Sequence, residues 1–404
     1  MMLLSAAVLA STYSRTAFAP LQEWVRAGLA LSDNQLALIQ GPAMALPVVI
    51  GAIPFGHVVD RYSRTRLLLL FVVLELGSGI LTALASNFAV LVLARSLAGL
   101  AAAASSTAAF SLMADLNSPS QRGRATMVLV MSQMGGNAIV FALGGVLLTA
   151  INVGAESWRY TMLWLSVLPV PIAVIMLAMR EPVRTGQVVE RSSTKDAWAE
   201  LWRYRTTVLP PLIGMVLAET ALGAIYVWAA PALARGFSLP PERIGAIMAT
   251  GLALSGIVGP VVGGFLADAC QRTGGARRTT SVLTAITLIT VPTGLFAFVP
   301  NSVLAGCLLV VFVVVLTAVL VIGMALFTVV IPNELRGISV ALLFAAETLV
   351  GVALAPVMVS LLSGAMGGEL MIGKALSIVC IAAGALASAA FGFGRRSVSD
   401  QVLE

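Results

Sequence analysis

Gly56-His-Val-Val-Asp60-Arg61-Tyr-Ser-Arg64 closes one long apolar stretch, and Gly264-Phe-Leu-Ala-Asp268-Ala-Cys-Gln-Arg272 closes another far downstream. Each copy sets an acid four residues after a glycine and an arginine four residues after the acid. Charges wedged between membrane-length apolar segments are costly unless they are used. Their recurrence predicts a duplicated membrane protein in which the repeated hinge matters.

Composition supports the membrane reading. Of 404 residues, 59% are hydrophobic and only 10% charged, with a mean hydropathy of +0.99; soluble domains carry about 25% charged residues. The solvent must be lipid, where only helices and closed barrels satisfy the backbone. Barrel strands alternate apolar and polar residues over segments of about ten. Here the apolar runs are continuous over about twenty residues or more, which is the length of a spanning helix. The fold expected is all-α, with twelve transmembrane helices in two pseudo-symmetric six-helix bundles.

The expected spans are 2–27, 35–59, 65–85, 88–115, 121–150 and 158–180, then 206–233, 241–268, 278–299, 302–331, 336–364 and 370–394. Residues 1–180 form the N-terminal bundle, 181–205 a linker, 206–396 the C-terminal bundle and 397–404 a tail. The opening Met1–Ala10 lacks a positive leader and reads as the start of the first helix. A second echo supports duplication: Pro119-Ser-Gln-Arg122-Gly123 opens span five, and Pro332-Asn-Glu-Leu-Arg336-Gly337 opens span eleven. Each pairs a helix-start signal with arginine–glycine.

A net charge of +6 might suggest nucleic acid, but the arginines sit in short loops. Arg61, Arg64, Arg66, Arg122, Arg124, Arg180, Arg272, Arg277, Arg278, Arg336, Arg395 and Arg396 fall on one side, with the linker cations. Only Arg26, Arg159, Arg235, Arg243 and Lys374 fall on the other. By the positive-inside rule the first side is cytoplasmic, with both termini. A bacterial inner membrane is the expected location, and a monomer the expected state. No nucleic-acid partner, cofactor or metal is expected. Cys270, Cys307 and Cys380 are odd in number and scattered, so neither disulfide nor metal site is predicted. His57 is expected to be structural or interfacial. In the linker, Ser193-Thr-Lys-Asp196 resembles a capping box, followed by Trp198, Leu201 and Trp202. This predicts a short amphipathic helix on the inner membrane surface, or simply a spacer between bundles.

These residues resemble the major facilitator superfamily over nearly the whole chain. Gly56-x-x-x-Asp60-Arg61-x-x-Arg64-x-Arg66 is similar to its signature loop between helices two and three, and Arg95-Ser-Leu-Ala-Gly99 to a motif of helix four. Leu31-Ser-Asp-Asn-Gln-Leu36, Ala114-Asp115-Leu and Gln121-Arg-Gly-Arg124 look most like Spinster-type carriers and organic-anion symporters. Those families often carry Asn-Tyr-x-Asp-Arg in helix one. This chain reads Thr12-Tyr13-Ser14-Arg15, so the arginine stays while the acid is replaced. Gly256-x-x-Gly259-Pro260-x-x-Gly263-Gly264 mimics an antiporter motif but falls in helix eight, not five. The resemblance implies alternating access, with the cytoplasmic ends of helices two and eight approaching the starts of helices eleven and five. Asp60 is expected to meet residues 333–337, and Asp268 to meet residues 118–123, as crossed latches favoured by helix N-termini. Arg64 and Arg272 hold the carboxylates or lipid phosphates in this scheme, and Gly56, Arg61, Gly264, Arg122 and Arg336 complete it.

Ionisable groups at membrane depth are site candidates by default. Arg15 shares a helix face with Ser11, Phe18 and Gln22. Guanidinium suits an anionic substrate group, or else a structural ion pair. For Arg95 the family resemblance implies proton or substrate coupling, and a structural pair with Glu75 is the other reading. Glu219, Glu347 and Glu75 are candidate proton carriers, or neutral acids bonded to a neighbouring helix. Gln133 and Asn137 share a face and line a cavity or a helix contact. Tyr226 and Trp228 are expected to wall off substrate, or for Trp228 to anchor at the interface. The glycine clusters Gly135-Gly136 and Gly144-Gly145, with Gly251, Gly256 and Gly259, are expected to admit close helix approach. No phosphate loop, metal cluster or nucleophile–histidine pair is present in the sequence, so no enzyme is expected.

The function expected is secondary transport of a small organic anion or an amphipathic, lipid-like molecule, coupled to protons, with symport, antiport and uniport left open. The alternatives are a multidrug/proton antiporter for cationic or neutral compounds and a non-transporting sensor on a carrier scaffold.

Overall fold

The computed structural model describes residues 1–117, 122–151, 153–179, 181, 200–331 and 333–397. Ten segments among them are long and apolar enough to span a membrane. The segment Pro241–Ala297 holds two crossings, because Gly275 (φ 57°) turns the chain back inside Pro241–Leu288. That positive φ is open to glycine at little cost. The opening helix, Met2–Thr16 followed by a 3-10 turn and Gln22–Gly28, completes the twelve.

Crossing two starts at Asp33–Gln40, breaks at Gly41 and continues as Pro42–Arg61. Its start is fixed by a reciprocal cap. Ser32 Oγ accepts from Gln35 N at 3.3 Å, and Gln35 Oε1 accepts from Ser32 N at 2.9 Å. Crossing three is Arg64–Ala83, crossing four Phe88–Leu116 and crossing five Arg122–Ala150. Crossing six joins Ser157–Val167 to Val170–Met176 around Pro169. Asn87 and Asn301 cap crossings four and ten through Val90 N and Val303 N. Crossing seven is Arg205–Phe237 and crossing ten Ser302–Val330. Crossing eleven runs Asn333–Ala346, through a π-helical stretch Glu347–Leu354, to Ala355–Ala365. Crossing twelve is Ile372–Ser397.

Contacts group the chain into two units. One is Met1–Gly186 with Ala229–Ala253, and the other Gln187–Trp228 with Leu254–Glu404. The end of crossing seven and the start of crossing eight therefore pack with the first six crossings. In the first unit, crossings three and four pack along their lengths, as do crossings two and four and crossings one and five. The last contact depends on a missing side chain. A Cβ on Gly136 would lie 2.6 Å from Leu9 O and 3.1 Å from Tyr13 N. Gly144, Gly145 and Gly259 likewise face close neighbours, whereas a Cβ on Gly135 would meet nothing within 4 Å. In the second unit a Cβ on Gly223 would fall 2.1 Å from Gly351 O, which presses crossing seven onto crossing eleven.

The linker residues 193–196 and Trp198 lie outside the described residues. Residues 200–203 are helical, with Trp202 exposed and the Arg205 guanidinium 5.7 Å from its ring centre.

Candidate functional site

The polar groups of the first unit collect in three places. At membrane depth, Glu75 is wholly buried on crossing three. Its Oε1 accepts from Ser11 Oγ at 2.7 Å and from Ser105 Oγ at 3.0 Å, and the two hydroxyls are 2.9 Å apart. Its Oε2 has no hydrogen-bond partner among the described residues. Crossings one, three and four therefore meet on one carboxyl group.

Arg95 is equally buried on crossing four but does not pair with Glu75. Its Nη1 donates to Arg15 O at 2.9 Å, and its Nη2 reaches Gln40 Oε1 at 3.2 Å and Met44 Sδ at 3.1 Å. The guanidinium carbon stands 5.3 Å from the Phe18 ring centre, a cation–π distance. Gln40 in turn donates to Gln22 Oε1 at 3.0 Å. Arg15 is half-buried, and its guanidinium makes no hydrogen bond or ion pair among the described residues. Nearby, Thr16 Oγ1 donates to Asn137 Oδ1 at 2.7 Å, while Gln133 is half-buried one turn earlier.

Of the sequence candidates, Arg15, Gln22, Glu75 and Arg95 thus come together, but through backbone, amide and hydroxyl groups. The Arg95–Glu75 ion pair considered from sequence does not form. Ser105, Gln40 and Met44 were not singled out. Their signal was faint: a run of three hydroxyl residues, Ser105 to Thr107, amid alanines, and an amide beside the Gly41–Pro42 break.

A second cluster joins the ends of crossings one, two and seven. Arg235 Nε and Nη2 donate to the two Glu23 oxygens at 2.8 and 2.6 Å. Its Nη1 and Nη2 donate to the two Asp33 oxygens at 2.7 and 2.8 Å. All three side chains are largely shielded. The sequence reading had counted Arg235 only as a loop cation.

The third cluster surrounds Arg64. Crossing two ends at Arg61, and Arg64 begins crossing three. Asp60 and Arg64 are therefore not one helical turn apart. Arg64 Nη1 donates to Asp115 and, at 3.1 Å, to Ser111 Oγ, while Nε donates to Glu181 Oε1 at 3.1 Å. Glu181 Oε2 also accepts from Ser63 Oγ, Thr65 N and Thr65 Oγ1 at 2.8–2.9 Å. Burial opposes the charge of Glu181, but these donors outweigh it and hold its carboxyl down at about 2. In the second copy the helix is continuous, so Arg272 does lie one turn from Asp268, 3.7 Å away and exposed. Arg61 is exposed and Gly264 half-buried. The side chains of Asp60, Arg122 and Arg336, with Gly56 and His57, lie outside the described set, as do residues 118–121.

In the second unit, Glu219 and Tyr226 are half-buried on crossing seven, and Glu347 is half-buried where the π-helical stretch begins. A Cβ on Gly351 would lie 2.7 Å from Glu219 Cγ, so Glu219 lies against that stretch. Such π-turns recur at functional sites. Trp228 is fully buried and donates from Nε1 to Pro356 O at 2.9 Å. It ties crossing seven to crossing eleven and is not an exposed interfacial anchor.

Comparison with known proteins accords with this architecture. The sequence model of the Major Facilitator Superfamily matches residues 4–356. No curated protein sequence matches the chain. Among solved structures, a bacterial homologue of the human lysosomal transporter Spinster, inward-facing and unoccupied, superimposes with a TM-score of 0.82 at 19% identity. The match covers 98% of this chain and 96% of that one. A bacterial Spinster homologue in an inward-facing, occupied form gives 0.77 at 20% identity, covering 98% and 94%. The nucleoside transporter NupG gives 0.75 at 10% identity, covering 98% and 99%. At these identities the likeness is one of fold. With the family match spanning most of its length, the chain belongs to the Major Facilitator Superfamily of multi-pass membrane transporters.

Proposed function

We propose that this transporter is a secondary carrier that moves a small organic anion or an amphipathic, anionic lipid-like molecule by proton symport. The observation that carries this reading is Arg15. It is a half-buried guanidinium on the first crossing with no hydrogen bond or ion pair among the described residues. An arginine at membrane depth is expensive and is retained where it lines a polar path or meets a partner. A carboxylate or phosphate offers it paired, charge-assisted bonds. Arg95, tied to Arg15 O, positions the backbone beneath it, while Gln22, Gln133, Asn137 and Tyr226 supply neutral polar contacts.

Glu75, Glu219 and Glu347 are the candidate proton carriers. Two six-helix halves, 1–180 and 206–396, joined by the linker 181–205, rock in alternation. The latches at Asp60 and Asp268 close the cytoplasmic face. The loop arginines favour a plasma-membrane orientation with both termini cytoplasmic, and a single chain suffices for the cycle.

A ligand-stabilisation screen on purified protein tests the cargo class, because selective binding raises the melting temperature by mass action. Anionic metabolites and lysolipids are expected to raise it in the natural protein and not in Arg15→Gln. Stabilisation by cationic drugs alone, unaffected by Arg15→Gln, would replace this reading with the multidrug antiporter.

A further inference from the structure

We propose that Glu75, positioned by the hydroxyls of Ser11 and Ser105, is the group that takes up and releases the transported proton. The proposal rests on the proton-symport reading and selects among its three candidate acids.

The hydrogen-bond pattern is that of a neutral carboxylic acid. Both seryl hydroxyls lie on Oε1, Ser11 Oγ donating at 2.7 Å and Ser105 Oγ at 3.0 Å with Ala102 O as its alternative acceptor at 3.1 Å, which places Oε1 as the carbonyl oxygen. Oε2 is buried and has no acceptor or donor beside it among the described residues, which is where the acid proton resides. An ionised carboxylate shares its charge over both oxygens and needs donors on both. Here one oxygen would be stranded in a site with no solvent exposure, a large desolvation cost. Glu219 and Glu347, by contrast, are only half-buried.

The charged groups around crossing three are few, and at its cytoplasmic start Arg64 is committed to Asp115 and Glu181. On crossing one, Arg15 stands one turn from Ser11, the residue bonded to Glu75, on the same helix face. On crossing four, Arg95 is committed to Arg15 O, Gln40 and Met44. On crossing six, Arg159 binds Ala83 O and Ala85 O at the far end and pairs with Glu156. On crossing two, Asp33 is held by Arg235. Arg15 is therefore the cation available to Glu75 when it ionises.

This arrangement couples the two ligands. Release, in a conformation that admits water to Oε2, breaks the Oε2–H bond, passes the proton to that water and leaves the electron pair on Oε2, with nothing oxidised or reduced. The resulting carboxylate draws Arg15. An anion seated on Arg15 removes that compensating charge, so the acid keeps its proton. Anion and proton therefore bind together and leave together, which is symport and not exchange. The seryl hydroxyls link the event to crossings one and four, because both bonds end on the carboxyl group whose charge changes.

The test is acid-minus-alkaline infrared difference spectroscopy on the full chain in lipid nanodiscs, paired with proton-gradient-driven uptake in vesicles. The expected result is a protonated-carboxyl C=O band that is lost in Glu75→Gln and retained in Glu219→Gln and Glu347→Gln. Ser105→Ala, which keeps the acid but removes one hydrogen bond to its carbonyl, is expected to move that band to higher frequency. If Glu75→Gln does not accumulate, the Ser105→Ala shift decides, and an unmoved band overturns the proposal. A band that survives Glu75→Gln, or vanishes only in Glu219→Gln or Glu347→Gln, overturns the assignment while leaving proton symport standing. No pH-dependent carboxyl band in any form, with no gradient-driven uptake, removes both the assignment and the proton-coupled reading.

Discussion

Arg235 and Asp33 meet in a paired, two-bond contact: Nη1 lies 2.7 Å from Oδ2 and Nη2 lies 2.8 Å from Oδ1. The remaining face of the same guanidinium holds Glu23 by two more bonds. One cation thereby fixes the end of crossing seven against the end of crossing one and the start of crossing two. Replacing Arg235 by Gln leaves two shielded carboxylates facing each other. Breaking a buried pair by removing one partner costs about 3–5 kcal/mol. Arg235→Gln is therefore expected to melt well below the natural protein in detergent. The triple change Arg235→Leu, Glu23→Gln and Asp33→Asn is expected to recover most of the loss. Equal melting of Arg235→Gln and the natural protein would show that the cluster does not hold these ends.

Glu181 gives the fold a pH dependence whose sign is fixed. Its carboxyl is held at about 2 in the folded protein, against about 4.3 for an unperturbed glutamate. A depressed acid stabilises the fold above its unfolded value and loses that contribution as pH falls towards its folded value. The side chain is partly exposed, so solvent screening limits the contribution to about 1 kcal/mol. Melting temperature followed downward from about pH 5 is expected to fall in the natural protein and to fall less in Glu181→Gln. Parallel curves would rule out this contribution.

Neighbouring glycines on crossing five are expected to behave oppositely. A Cβ on Gly136 would press into Leu9 O at 2.6 Å, whereas one on Gly135 would meet nothing within 4 Å. Overpacking of this kind costs about 1–3 kcal/mol. Gly136→Ala is expected to lower the melting temperature clearly, and Gly135→Ala to leave it unchanged or raise it slightly, as alanine favours the helix.

Arg95→Lys separates charge from shape. The guanidinium reaches Arg15 O, Gln40 and Met44 from two nitrogens, and a lysine ammonium cannot reproduce that fork. Losing one charge-assisted bond is worth about 1.5–3 kcal/mol. Uptake is expected to drop about tenfold or more, with insertion into the membrane intact. Full uptake by Arg95→Lys would show that the fork does not position crossing one.

The fold was legible because it rests on signals that survive without coordinates: apolar run length, breaker residues and a charged element repeated at Asp60 and Asp268. The polar contacts were less so. Arg15, Arg95 and Glu75 stand out as charges at membrane depth, and an Arg95–Glu75 pair is one of two readings open from sequence. Instead Glu75 is held by Ser11 and Ser105, and Arg95 by a carbonyl, an amide and a thioether. Those partners are common in apolar helices and carry no period of their own. Arg64 falls between two expected spans beside Asp60, and its partners Asp115 and Glu181 are distant from it in sequence. The Arg235 cluster unites residues far apart in sequence, and nothing local to any of them announces the other two.

The central claim is coupled movement of an anion and a proton through a site containing Arg15. Its most direct measurement is solid-supported-membrane electrophysiology on vesicles holding the purified protein, with a panel of organic anions and lysolipids applied with and without a proton gradient. The account predicts that at least one anionic compound is taken up faster when the gradient is imposed, and that Arg15→Gln abolishes this uptake. Gradient-driven movement of cationic compounds only, or anion uptake indifferent to both the gradient and Arg15→Gln, would contradict it.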